Sequence, residues 1–146
     1  HGGRFTGKPS YFAHVTSATE KLLEKTGHSP ADFAHAVFHM PNGKFPAQAA
    51  QALGFSQAQV ERSLVVSSLG NSYTASALMG LVNVLNEVRP GELIYFCSYG
   101  SGAGSDAYIF RATEHIDRVR VDFTATCEKT TTISYPEYLK RMGTIG

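Results

Sequence analysis

His39, Asn71 and the run from Gly100 to Ser105 are the positions in this 146-residue chain whose side chains or backbone are most open to chemistry. His39 follows the apolar Ala36-Val37-Phe38 and precedes Pro41-Asn42-Gly43, so it stands where a buried strand gives way to a tight turn. Such a place fixes an imidazole while leaving one ring nitrogen toward a cleft. Asn71, between Gly70 and Ser72, comes just before an apolar helix, and its carboxamide either caps that helix or aims a donor at a bound carbonyl. The Gly100 to Ser105 run holds three glycines and two serines, which lets backbone amides approach a ligand closely, in a pattern that is neither a Walker nor a dinucleotide motif. Taken singly, a strand-end histidine and a capping asparagine are the more economical readings. The three together make the case for a site.

Other reactive residue types are less suitably placed. Lys44 opens the helix after His39, where a cation opposes the helix dipole and hints at a compensating anion, although a solvated lysine explains it as simply. His35 and His39 are four apart, a metal-binding interval on a helix, but in a strand they merely share a face. Cys97 follows Leu93-Ile94-Tyr95-Phe96, where desolvation disfavours the thiolate needed for attack, and Cys127 has no activating neighbour. Glu20, Glu24, Glu61, Glu87, Glu92 and Glu114 all fall on expected solvent faces or at element ends. The chain therefore supplies an imidazole and a carboxamide, but neither a nucleophile nor a general base.

The elements that hold these residues follow from periodicity. Arg4 to Pro9 reads as a short edge strand, and Ser10 to Lys25 as a helix with Tyr11, Phe12, Val15, Ala18, Leu22 and Leu23 on one face and Gly27 as its stop. Strands are expected at Ala36 to Phe38, Leu64 to Val66, Glu92 to Tyr99 and Ala107 to Ala112, the last two adjacent and antiparallel. Helices are expected at Phe45 to Leu53, Gln57 to Arg62 and Thr74 to Val88, the last apolar on nearly all sides and so buried. The order implies an α/β fold with helices layered on a mixed five-stranded sheet. Residues 1–113 form that body. Residues 114–146, polar and Thr-rich with Val119, Val121 and Phe123 alternating and Tyr135, Tyr138 and Leu139 as anchors, form a C-terminal extension. Strand ends then bring His39, Asn71 and the glycine loop to one rim, where open α/β sheets gather ligands.

Composition excludes several classes. A net charge of +1 with scattered basic residues is no footprint for nucleic acid, and no apolar stretch approaches the roughly 20 residues of a membrane helix. The two cysteines lie in no metal-ligand spacing, so a reduced, cytoplasmic setting is expected. Charged residues are 17% of the chain against roughly 25% in average soluble proteins, which leaves unusually much surface to hide against a partner.

Three blocks, Phe38-His39-Met40-Pro41-Asn42-Gly43-Lys44, Gly70-Asn71-Ser72-Tyr73-Thr74 and Ser98-Tyr99-Gly100-Ser101-Gly102-Ala103-Gly104-Ser105-Asp106, resemble in order and spacing the C-terminal half of the thiolase superfamily. Within it, the stretch from Arg4 to Ala112, and more weakly Tyr135 to Lys140, is most similar to hydroxymethylglutaryl-CoA synthases of the archaeal type. The resemblance implies condensation of acetyl-CoA with acetoacetyl-CoA. A cysteine accepts the acetyl group, a glutamate removes its methyl proton, the carbanion attacks the ketone, and hydrolysis releases 3-hydroxy-3-methylglutaryl-CoA and coenzyme A. In that scheme His39 matches the histidine that hydrogen-bonds the acetoacetyl carbonyl, and Asn71 and Ser101 match positions holding acyl and thioester oxygens. Gly102 lies beside them, Lys44 matches a basic position near the coenzyme A phosphates, and Tyr73 falls in the asparagine block.

The chain departs from the family in lacking the catalytic cysteine and glutamate, which belong to the N-terminal half. The resemblance therefore implies a chain inactive alone, no cofactor beyond coenzyme A thioester substrates, and no metal. It also implies partnership with the N-terminal half, a homo-oligomer of the complete enzyme, and association with a thiolase and a zinc-containing bridging protein. A ketoacyl-carrier-protein synthase III-like half and a non-catalytic acyl-CoA-binding scaffold are the alternatives.

Overall fold

The computed structural model describes residues 7–100 and 104–146. A π-helical turn, Gly7–Phe12, runs into α1, Ala13–Thr26, which ends where Gly27 takes φ 70° and returns its N–H to the Leu23 carbonyl. After a 3-10 turn at Pro30–Asp32 come β1, His35–Phe38, then α2, Phe45–Ala52, and α3, Gln57–Glu61. A single helical turn, α4, Val66–Leu69, precedes α5, Ala75–Leu85. The hairpin β2, Leu93–Cys97, and β3, Ala107–Arg111, follows. A 3-10 turn at Ile116–Arg118, α6, Phe123–Glu128, and α7, Tyr135–Arg141, complete the chain.

Among the described residues the sheet has three strands in the order β1-β2-β3, not the five expected. β1 pairs parallel with β2, from His35 opposite Ile94 to Phe38 opposite Cys97, and β3 returns antiparallel along β2. Of the two missing strands, the one expected at Arg4 to Pro9 falls partly outside the described residues, and its remainder belongs to the π-helical turn. The other, Leu64 to Val66, is three residues long and pairs with no strand among the described residues. It satisfies its backbone locally instead, Val65 N–H donating to Ser63 O and the Ser68 and Leu69 N–H groups to Val65 O.

The pleat sends alternate residues to two helical layers. Ala36, Phe38, Tyr95 and Cys97 pack with Tyr11 and Val15, with Ala49 and Ala50 of α2, and with Phe55 and Val60. Val37, Ile94 and Phe96 pack against Ala77 and Val84 of α5 with Val88 and Ile116. Both faces of β2 are thus covered, and all five of its residues are buried. α3 is fastened beneath β1 by Gln59. Its Oε1 accepts from the Ser56 N–H in a capping box, and its Nε2 donates to Pro30 O and Phe33 O at 2.7 and 2.6 Å.

Two burial expectations fail. α5 is shorter than predicted and buries one face only: Leu78 is 52% exposed because no described element covers that side. In the C-terminal segment, Phe123 is buried with Met40 and Val65, but Tyr135 and Tyr138 stack on each other in solvent and anchor nothing. The segment is instead held by Arg120, whose guanidinium donates to the Leu85, Asn86 and Val88 carbonyls where α5 runs out of intrahelical partners. The Val119-Val121-Phe123 alternation is no strand: it spans the end of a 3-10 turn and the start of α6.

Candidate active site

The sheet runs out at His39. Its N–H makes one more ladder bond, to Cys97 O at 2.9 Å, after which Pro41 and Asn42 turn the chain. Asn42 Oδ1 accepts from the N–H groups of Lys44 and Phe45, at 2.9 and 3.0 Å, and so starts α2. The His39 residue is 6% exposed, and burial holds its imidazole below the ordinary value near 6.5. The ring is neutral at physiological pH, with one N–H to donate and one lone pair to accept. Its neighbours are aromatic, the Tyr99 ring at 5.8 Å and the Tyr11 ring at 6.5 Å.

Asn71 reaches the same place from the loop before α5. It does not cap that helix, whose N-cap is Thr74. Its Oδ1 accepts from the Tyr73 N–H at 2.8 Å, closing a turn in which Tyr73 adopts φ 56°, and the Nδ2 side carries the donors it can present to a ligand. Tyr73 is thereby pushed outward and is 63% exposed.

These two loops and the end of β2 enclose a cavity of about 430 Å³ lined by His39, Pro41, Asn42, Phe45, Asn71, Tyr73 and Tyr99. His39, Asn71 and Tyr73, three of the residues picked out by sequence, thus share one chamber. Lys44 does not line it: it is exposed at the N-cap of α2, next in sequence to the lining residue Phe45. Ser101 and Gly102 lie outside the described residues. The flanking glycines close a small hairpin, with Gly100 N–H donating to Gly104 O at 2.9 Å. Sequence reasoning missed Phe45 and Tyr99 as walls. Both stand beside quoted motifs, but an aromatic next to a motif looks the same whether it fills the core or lines a cleft.

Among the described residues no carboxylate and no cysteine lines this chamber. Cys97 is fully buried behind it, its thiol pushed up to about 11 by burial. Cys127 lines a separate cavity of about 430 Å³ with His35, Arg62 and Asn83, at the other end of β1. Among the described residues no group of His, Cys, Asp or Glu could hold a metal ion, and no helix is long and apolar enough to cross a membrane. The site can bind and polarise a carbonyl oxygen in an apolar, aromatic surrounding.

Residues 23–112 match the family described as 3-oxoacyl-[acyl-carrier-protein (ACP)] synthase III C terminal. The chain belongs to this family. As a member of the synthase III C-terminal family, it is 52% identical over 120 residues to the hydroxymethylglutaryl-CoA synthase of Methanococcoides burtonii, covering 82% of this chain and 34% of that protein. It is 46% identical over 148 residues to the enzyme of the same name from Methanosarcina barkeri, covering 99% of this chain and 42% of that one. The chain thus spans about a third to two fifths of the length of these relatives, which bears out the resemblance to the C-terminal half of archaeal hydroxymethylglutaryl-CoA synthases.

The thiolase-like α/β architecture is shared with solved structures. An HMG-CoA synthase complexed with CoA superimposes with a TM-score of 0.74 at 22% identity, over 89% of this chain and 37% of that one. The 3-oxoacyl-(acyl carrier protein) synthase III of Pseudomonas aeruginosa superimposes with a TM-score of 0.65 at 22% identity, over 76% of this chain and 36% of that one.

Proposed function

We propose that the chain is the carbonyl-polarising half of a hydroxymethylglutaryl-CoA synthase, which condenses acetyl-CoA with acetoacetyl-CoA and water to give 3-hydroxy-3-methylglutaryl-CoA and coenzyme A. The observation that carries this reading is the meeting of His39 and Asn71, from separate loops, in one aromatic chamber with no cysteine or carboxylate among its described lining residues. The neutral His39 imidazole donates a hydrogen bond to the ketone oxygen of the acetoacetyl group as the acetyl carbanion attacks, so that the developing alkoxide is stabilised until it takes back the proton that the glutamate removed from the acetyl methyl. Asn71 Nδ2, with backbone and hydroxyl donors of Ser101 and Gly102, holds the thioester oxygen. Lys44, exposed at the start of α2, faces the coenzyme A phosphates, and Tyr73 lies along the acyl-CoA path. The cysteine that carries the acetyl group and the glutamate that deprotonates it belong to the N-terminal half.

On this reading residues 1–113 are the thiolase-like half-domain and 114–146 an extension clamped to it by Arg120. The partners are the N-terminal half, a second copy of the complete enzyme in the cytoplasm, and a thiolase with its zinc-containing bridging protein. No cofactor is needed beyond the thioester substrates. The test joins the chain to its N-terminal half and follows free thiol released from acetyl-CoA plus acetoacetyl-CoA. His39→Ala should lower turnover by about 10²-fold or more, the usual effect of deleting an oxyanion donor. Unchanged thiol release would remove His39 from the mechanism.

A second reading, a ketoacyl synthase III half acting on carrier-protein thioesters, draws on the matched family and the Pseudomonas structure. It predicts that the joined protein prefers an acyl-carrier-protein acceptor to acetoacetyl-CoA. Binding of coenzyme A without turnover on either acceptor would instead favour a non-catalytic scaffold.

A further inference from the structure

We infer that Tyr11 and Ser76 are positioning residues which hold the His39 imidazole in register with Asn71 by pinning the backbone on both sides of it. The inference rests on the reading of His39 given above, and it concerns residues that touch neither the chamber nor a substrate placed there.

The need for a clamp follows from the sheet. The β1–β2 register ends with Phe38 opposite Cys97, and the His39 N–H makes the last bond, to Cys97 O. Beyond that bond β2 continues only along β3, Ser98 N–H donating to Asp106 O, and Tyr99 becomes a wall of the chamber. The next backbone groups, His39 O, Met40 N–H and Met40 O, are therefore buried with no strand to bond, a costly state if left so. Two side chains from different helical segments take over. The Tyr11 hydroxyl, fully buried in the π-helical turn, donates to His39 O at 2.7 Å. The Ser76 hydroxyl, 2% exposed in the first turn of α5, accepts from Met40 N–H and donates to Met40 O, both at 3.1 Å.

Four consecutive backbone polar groups around the imidazole are thus tied to three elements, namely β2, the π-helical turn and α5. The tie at Ser76 also reaches Asn71. Ser76 N–H donates to Tyr73 O at 3.0 Å, and Tyr73 N–H donates to Asn71 Oδ1 at 2.8 Å. The two loops that supply the oxyanion donors are therefore joined through one serine. An imidazole so held is set in place before substrate arrives, the condition under which a hydrogen-bond donor stabilises a transition state rather than reorganising with it.

The test uses the complete synthase, this chain together with its N-terminal half, and compares Tyr11→Phe, Ser76→Ala, His39→Ala and the double variants. Tyr95→Phe is the structural control, because Tyr95 is an equally buried tyrosine of the same core layer whose hydroxyl meets Thr19 Oγ1 at 2.5 Å. Tyr11→Phe and Ser76→Ala should each lower kcat by about tenfold or more with KM for acetoacetyl-CoA changed less than about twofold, since loss of precise placement acts on the chemical step. Neither should lower activity further in the His39→Ala background, and Tyr95→Phe should leave kcat unchanged. Equal losses in the presence and absence of His39, or a kcat loss in Tyr95→Phe matching that of Tyr11→Phe, would overturn the inference. So would unchanged kcat in Tyr11→Phe and Ser76→Ala while His39→Ala is inactive, which leaves the reading of His39 standing. Full activity in His39→Ala would instead sink the reading on which the inference rests.

Discussion

Gly80 lies in the interior of α5, where alanine would ordinarily be preferred by about 1 kcal/mol. Propensity therefore predicts that Gly80→Ala stabilises the protein, and packing predicts the reverse. A Cβ on Gly80 would lie 2.8 Å from the Ser63 carbonyl oxygen, 3.2 Å from Met40 Cε and 3.3 Å from Val37 Cγ1. The methionine tip can swing aside, but the carbonyl cannot. Ser63 is fully buried, its N–H and hydroxyl both bond Val60 O, and the neighbouring Arg62 carbonyl is held by Asn83 Nδ2 of α5 itself. Relief requires α5 to move off the sheet by roughly half an ångström, which loosens the Val37, Ile94 and Phe96 contacts along its length. Overpacking of this kind costs about 1–3 kcal/mol after relaxation, and closest contact with a fixed carbonyl puts this case at the upper end, so about 1–2 kcal/mol of destabilisation remains after the propensity gain. At about 2–4 °C per kcal/mol for a chain of this size, the melting midpoint should fall by several degrees. Circular dichroism melts of Gly80→Ala against the parent measure it, with Leu78→Ala on the exposed side of α5 as a near-neutral companion. A higher midpoint for Gly80→Ala would refute the claim that close approach, rather than helix-forming tendency, decides residue 80.

Acid should destabilise the fold through the buried His39 and part-buried His35 imidazoles. Burial holds both His39 and His35 below 6.5, so as pH falls through 6.5 the unfolded chain takes up protons that the folded chain refuses. Stability is complete above that pH and declines below it, with a slope of at most about 1.4 kcal/mol per pH unit for each imidazole. Urea titrations from pH 7.5 to 5 should show this decline, shallower in His39→Gln, and a parent curve flat across that range would contradict it. The two thiols should also differ. Cys97, fully buried and raised to about 11, should resist iodoacetamide under native conditions while the partly exposed Cys127 is modified, and peptide mapping that finds Cys97 labelled first would count against the burial described for it.

What could be read from sequence follows the strength of the local signal. α1 was legible because Tyr11, Val15, Ala18 and Leu22 repeat at helical spacing and Gly27 stops them, and the β2–β3 hairpin because two apolar runs flank a glycine-rich turn. His39 and Asn71 were legible as loop residues beside turn-forming neighbours, and the chamber brings them together. Leu64 to Val66 misled because β-branched residues also suit a buried bend, and here the backbone bonds within its own turn rather than along a strand. The exposed side of α5 and the unanchored Tyr135 and Tyr138 misled for a shared reason: apolar character reports a demand for burial but not whether this stretch of chain can meet it. The clamp of Tyr11 and Ser76 was invisible, since a tyrosine and a serine 65 positions apart announce nothing until the fold sets them around one turn.

The central claim is that one neutral imidazole and one carboxamide, held on separate loops, polarise the same acyl substrate. A crystal structure of the complete synthase with acetoacetyl-CoA bound tests it most directly. The account predicts the ketone oxygen at about 2.7–3.2 Å from a ring nitrogen of His39 and the thioester oxygen equally close to Asn71 Nδ2, with the acyl chain between Phe45 and Tyr99. An acetoacetyl group seated elsewhere, with His39 and Asn71 left to solvent, would contradict it.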